Sequence, residues 1–167
     1  MSAPTTTQDA LRSRLPDPAP LFPEMADVAA GMQRAARNGA VPRTTIGLVQ
    51  LRAGQIAGST YHSVRHSDLL RRAGEPEERI TAVASWRDAP YFTDAERVAL
   101  ELVEAVLTAN PSGERVPDEL YARAAARYDD TALWTLTLVI AQICYFIPVA
   151  LIARPIPGRP PGKNYGV

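Results

Sequence analysis

The chain has 167 residues, 46% of them hydrophobic, with 18 basic and 18 acidic side chains. That is enough for one domain with a real core, and formal neutrality leaves no basic face dense enough for nucleic acid. The single cysteine, Cys144, excludes an intrachain disulfide and a C-x-x-C redox pair, so a reducing cytoplasm is the expected compartment.

Residues 1–22 are rich in Pro, Ser and Thr and are expected to form an extended N-terminal arm. The arm lacks the basic start and apolar centre of a secretory signal. From Pro23 the pattern turns helical. PEMADVAAGMQRAARNG places Met25, Val28, Ala29, Met32 and Ala36 on one face and stops at Asn38-Gly39. A second helix is predicted over TTIGLVQLRAGQIAG, a third from Thr60 to Ala73, stopped by Gly74, and a short fourth from Pro76 to Trp86. Thr93-Asp94-Ala95-Glu96 reads as a capping box, opening a helix with Ala95, Val98, Ala99, Leu102, Val103 and Val106 on one side. Asn110-Pro111-Ser112-Gly113 breaks it, and a further helix follows Pro117-Asp118.

The run from Leu133 to Ile152 carries no charge over twenty residues, a length that could span a bilayer. Thr135, Thr137, Gln142 and Pro148 within it, and the amphipathic character of the other helices, favour instead a helix buried all round, inside the fold or in a subunit interface. No membrane association is expected. No strand pattern is present. The expected fold is therefore all-α, a compact helical bundle over residues 23–157, with residues 158–167 as a C-terminal tail. Lys163 is the only lysine, and the Arg-, Ala- and Pro-rich composition fits a GC-rich bacterial genome.

Both histidines fall in one stretch, GSTYHSVRH, Gly58 to His66. LVQLRAGQIAGSTYHSVRHSDLLRRAGE, followed by SWRDAPYFTDAERVALELVEAVL, resembles the carboxymuconolactone decarboxylase and alkylhydroperoxidase D-like superfamily. The second block, W-R-x-x-P-x-F-T-x-x-E-R, is the more specific marker, and the likeness runs from about Pro23 to Pro157. It implies an all-helical fold that assembles into homotrimers or homohexamers. The peroxidase branch of that superfamily carries a glutamate and then G-C-x-Y-C-x-x-x-H. Laid on this chain, the glutamate falls on Gln50, the two cysteines on Ser59 and His62, and the histidine on His66, with Gly58 and Tyr61 matching. Serine cannot replace a soft thiolate nucleophile and histidine cannot form a disulfide, so thiol peroxidase activity is the least expected outcome. Where the family's last helix has a pattern like I-N-x-W-N-R, this chain has Ile143 to Pro148, apolar and with a helix-breaking proline.

Offsets of three and four put Ser59, His62 and His66 in one stripe of a helix. The resemblance brings Gln50 opposite that stripe. Histidine titrates near neutral pH and can act as general acid or base. The expected activity is a cofactor-independent acid/base reaction (decarboxylation, elimination or isomerisation) on a small organic acid or specialised-metabolism intermediate. His66 and His62 are the candidate catalytic residues, and Gln50, Ser59 and Tyr61 the candidate substrate-binding ones. The alternative is a non-catalytic ligand-binding or assembly member of the family. An i, i+4 histidine pair also suits a metal, but Gln50 is a poor ligand and Asp68 is turned away, so no metal is expected. Ser59 as an acyl-transfer nucleophile lacks a legible oxyanion hole. Glu101 and Glu104 read as a solvated or interface face. Arg52, Arg65, Arg71 and Arg72 are candidates to attract a carboxylate.

Overall fold

The computed structural model describes residues 11–111 and 113–166 and is all-helical among them. Its helices are α1 (Glu24–Ala36), α2 (Arg43–Ile56), α3 (Thr60–Arg72), α4 (Glu77–Ala82), α5 (Asp94–Leu107), α6 (Asp118–Ala125) and α7 (Asp130–Ala153). The expected fourth helix, Pro76 to Trp86, divides into α4 and a single 3-10 turn at Val83–Ser85. The α5 capping box forms in full, with Thr93 accepting from the Glu96 N–H and the Glu96 carboxylate accepting from the Thr93 N–H.

Helix α2 is the centre of the bundle and packs against α3, α5 and α7. Leu48, Val49, Leu51 and Ala53 are all but inaccessible to solvent. Val49 and Ala53 face a core made with Val98, Val103, Leu136 and Val139 of α5 and α7. Leu48 and Leu51 face a second core with Leu70, Ile80, Trp86, Phe92 and Leu100.

The approach of α3 to α2 is very close. A Cβ on Gly54 would stand 2.8 Å from His62 Cβ and 3.1 Å from the Ser63 nitrogen, and one on Gly47 would stand 2.7 Å from Leu70 Cδ2. At position 54 the obstruction includes backbone, so alanine there would force the helices apart. The two glycines are seven residues apart and therefore lie on one face of α2. They fix an antiparallel register that sets Gly54 against His62 and Gly47 against Leu70.

Within one chain, helix α7 is buried on one face only, and the subunit-interface alternative is left for the other. One face is buried, through Ala132, Thr135, Leu136, Val139, Ile140 and Ile143. The other leaves Trp134 67% and Ile152 62% exposed, with Leu138, Tyr145 and Leu151 also exposed. Length and hydropathy alone would let it cross a membrane, but it packs on α1 and α2 with its buried face.

Of the N-terminal arm, residues 11–22 are described. They run against the far end of α7, where the Arg14 N–H donates to the Ala153 carbonyl at 2.7 Å. Of the tail, residues 158–166 are described and fold back on the domain. Asn164 is buried, its carbonyl accepts from the Ile156 N–H at 2.6 Å, and its Nδ2 donates to the Tyr61 hydroxyl at 3.0 Å. Arm and tail are thus walls of the folded domain, where the sequence suggested appendages.

Candidate functional site

The turn from α2 to α3 passes through Gly58 at φ +64°, a left-handed conformation that glycine adopts without strain. The next residue, Ser59, is the N-cap of α3, its Oγ accepting from the His62 N–H. One helical turn further, His62 and His66 project from the same face of α3, both buried. Their rings stack in parallel, 5° apart in plane and 6.0 Å between centroids. The Tyr61 ring meets His62 edge-on at 5.5 Å.

The two imidazoles have different neighbours. His62 Nδ1 is 2.9 Å from Ser59 Oγ, so the serine is both helix cap and partner to the ring. His66 Nδ1 is buried and has no hydrogen-bond partner among the described residues. Burial holds the His62 pKa down to about 4, with repulsion from Arg65 adding to it. For His66 burial comes first, then His62 and Arg65, and the pKa falls to about 3. Both rings are therefore neutral at pH 7.

The sequence-predicted residues are brought together unequally. Ser59, His62 and His66 form one line along α3. Gln50 is half-buried, and the antiparallel register places it level with His66 on the glycine face of α2. Tyr61 is half-buried, and its hydroxyl is engaged by Asn164 of the tail. Among the described residues no three His, Cys, Asp or Glu side chains gather around a point where one metal could bind.

Glu104 corrects the sequence reading. It is buried rather than solvated, and accepts from Trp86 Nε1 at 2.9 Å, from Arg52 at 2.6–2.7 Å, and from Arg87. Burial pushes its pKa up, but the hydrogen bonds from Trp86, Arg87 and Arg52 outweigh that and leave it lowered. Arg52 is thereby committed to Glu104 and unavailable to a substrate. Arg71 and Arg72 pair with Asp68 and Glu77 on the exposed side of α3. Of the four arginines proposed to draw in a carboxylate, Arg65 alone acts on the histidines electrostatically. Cys144 is half-buried against the α2–α5–α7 core, and burial raises its thiol pKa, away from an activated thiolate.

The W-R-x-x-P-x-F-T-x-x-E-R segment is structural. Trp86 and Phe92 fill the second core, while Arg97 donates to the carbonyls of Trp86, Arg87, Ala89 and Phe92. Arg79 joins Glu75 to Glu96.

A family model described as the carboxymuconolactone decarboxylase family matches residues 23–105. The uncharacterised protein YdfG of Bacillus subtilis is 35% identical over 123 residues, 74% of this chain and 82% of its own. The uncharacterised protein YnjA of Escherichia coli is 44% identical over 63 residues, 38% of this chain and 33% of its own. The crystal structure of ATU0492 from Agrobacterium tumefaciens, a protein of unknown function provisionally described as antioxidant defence protein AhpD, superposes with a TM-score of 0.76. It is 25% identical, over 86% of this chain and 96% of that one. The debrominase Bmp8 in its apo form superposes with a TM-score of 0.71 at 18% identity, over 81% of this chain and 72% of that one, a likeness of fold alone.

The lowered histidine pKa values set a pH dependence of stability. Between the unfolded value near 6.5 and the folded values of about 4 and 3, the unfolded chain binds protons that the folded chain refuses. Stability is therefore full above about pH 6.5 and falls as the pH drops through that window. From pH 7 to 5 the loss is expected to reach up to about 2 kcal/mol for His66 and less for His62. The lowered carboxylates contribute only below this interval. Urea midpoints of the wild type and of the His62→Gln/His66→Gln double variant across pH 7 to 5 check it. The wild type should lose stability more steeply, and equal slopes would refute the buried neutral pair.

Proposed function

The chain belongs to the carboxymuconolactone decarboxylase family, and from that premise we propose that it is a cofactor-independent acid/base enzyme acting on a small organic acid. The observation that carries this reading is the unpartnered Nδ1 of His66, held under cover beside a second imidazole whose own Nδ1 is occupied. A buried polar atom without a partner costs about 1–3 kcal/mol. Such an atom fits a position kept for a reacting group.

The two rings take different roles. Ser59 Oγ already accepts from the His62 N–H, so its hydroxyl hydrogen can be donated to His62 Nδ1. His62 then carries its proton on Nε2 and donates a hydrogen bond to the oxygen of a developing enolate. His66 Nδ1 takes the proton from the carbon beside the carbonyl, and gives it to another carbon of the same substrate in an isomerisation or to the departing group in an elimination. In a decarboxylation carbon dioxide leaves instead, and the acid form of His66 protonates the enolate carbon. A base with a pKa of about 3 is weak, but repulsion from Arg65 contributes to that value. The negative charge of a substrate carboxylate bound beside α3 opposes that repulsion and lifts His66 toward the working range. Gln50, level with His66, is suited to hold the substrate by its amide.

Thiol peroxidase chemistry has no support, since neither Ser59 nor His62 carries sulfur. The competing reading, a non-catalytic ligand-binding or assembly protein, draws on the same low pKa values, because neutral imidazoles also serve as plain hydrogen-bonding walls. The exposed side of α7 belongs to the proposal too: Trp134, Leu138, Tyr145 and Ile152 form a charge-free stripe that we assign to contact between copies of the chain.

Two measurements test these readings. The first incubates the protein in D2O with a panel of 2-oxo, 3-oxo and lactone carboxylic acids and follows proton exchange beside the carbonyl by NMR. The wild type is expected to accelerate exchange on at least one member. His66→Gln should lose this by about 10²–10⁴-fold and His62→Gln by about tenfold to a thousandfold. Absence of exchange, or indifference to both substitutions, would favour the non-catalytic reading. The second is light scattering at micromolar concentration, expected to return the mass of a trimer or hexamer. The mass of one chain would count against the assembly proposal.

A further inference from the structure

A cavity of about 390 Å³ opens where the first turn of α3 meets the C-terminal end of α7 and the arm. We propose that it is the subsite for the substrate's carboxylate, taking a monocarboxylate with a short hydrocarbon body. This deepens the acid/base reading, on which it rests for the substrate's connection to the histidines.

Arg12 and Arg154 line the cavity, and no aspartate or glutamate lies among its described lining residues. Ser59 and Thr60 form its inner wall. With the His62 N–H capped by Ser59 Oγ, the N–H groups of Thr60 and Tyr61 remain without an acceptor in the first turn of α3, and the helix dipole there favours an anion. Two exposed cations and a helix start together make a carboxylate the fitting guest, because bidentate guanidinium contacts match its geometry. Arg154 occupies the left-handed cap of α7 at φ +49°, a position glycine ordinarily takes.

The cavity is preformed by ties among the segments that make its rim. The Arg14 N–H bonds the Ala153 carbonyl at 2.7 Å, the Ser13 hydroxyl donates to the Gly166 carbonyl at 3.2 Å, and the Ile156 N–H bonds the Asn164 carbonyl at 2.6 Å. Leu11, Leu151 and Ile156 supply the apolar part of the wall, which suits a hydrocarbon body and disfavours a strongly hydrated anion. The link to the chemistry is Ser59. It lines the cavity, and its Oγ lies 2.9 Å from His62 Nδ1. A carboxylate held there stands one hydrogen bond from the imidazole pair.

The test uses the full chain and hexanoate, with hexanamide and inorganic phosphate as comparison probes, followed by calorimetry and by the imidazole resonances of His62. Hexanoate is expected to bind saturably and to shift His62. Its affinity should fall at least tenfold in Arg154→Gln and be lost in Arg12→Gln/Arg154→Gln. Both arginines are exposed, so circular dichroism should show these variants folded. Hexanamide should bind at least tenfold more weakly. The proposal is overturned if hexanoate shows no saturable binding, if binding is indifferent to both arginines, or if phosphate or hexanamide binds as tightly. Hexanoate binding without proton exchange on any acid would sink the catalytic reading and leave the subsite standing. Exchange that survives the double arginine change would do the reverse.

Discussion

Everything at this site depends on how closely α3 lies against α2. Two glycines on one face of α2 remove the side chains that would keep the helices apart, and His62 and His66 are driven into the space between layers. An imidazole at such a position must be neutral, because the cost of burying a charge exceeds what one neighbouring hydroxyl can return. The positive Arg65 adds to that pressure. One steric constraint therefore sets the protonation state, the parallel stacking and the isolation of His66 Nδ1 together.

The acidic and basic residues elsewhere serve a different end. Glu104 gathers Arg52, Arg87 and the Trp86 indole, and Arg97 collects four carbonyls from the loop before α5. These bonds fix the α4–α5 connection against α2, so that the layer behind α3 does not yield. The strongest motif in the chain is a structural fastening, distinct from the chemistry. The frame itself is shared beyond close sequence likeness, as the superposition on Bmp8 at 18% identity illustrates.

The helices were legible because each has a local signal: the capping box at Thr93, the stop at Gly74, the proline before α6. The line of Ser59, His62 and His66 was legible from spacing alone. Glu104 was not, because its partners come from α2 and from the turn before α5, and no window along the chain shows that three donors converge on it. The half-exposure of α7 was hidden for a related reason. A charge-free helix reads the same whether its second face meets the fold or solvent. Arg12 and Arg154 stand 142 positions apart, and only the tie of the arm to the end of α7 brings both to one cavity. Tyr61 was legible as a neighbour of the histidines, but its engagement by Asn164 depends on a tail about 100 positions further along the chain.

Two imidazoles lie side by side and uncharged, that of His62 with its proton placed by Ser59. Nitrogen-15 NMR of the imidazole rings tests it most directly, titrated from pH 7.5 to 4 on the intact protein. Both rings should stay neutral to below pH 5, with His62 held in the tautomer protonated on Nε2. Titration of either ring near pH 6.5, or exchange of His62 between tautomers, would contradict it.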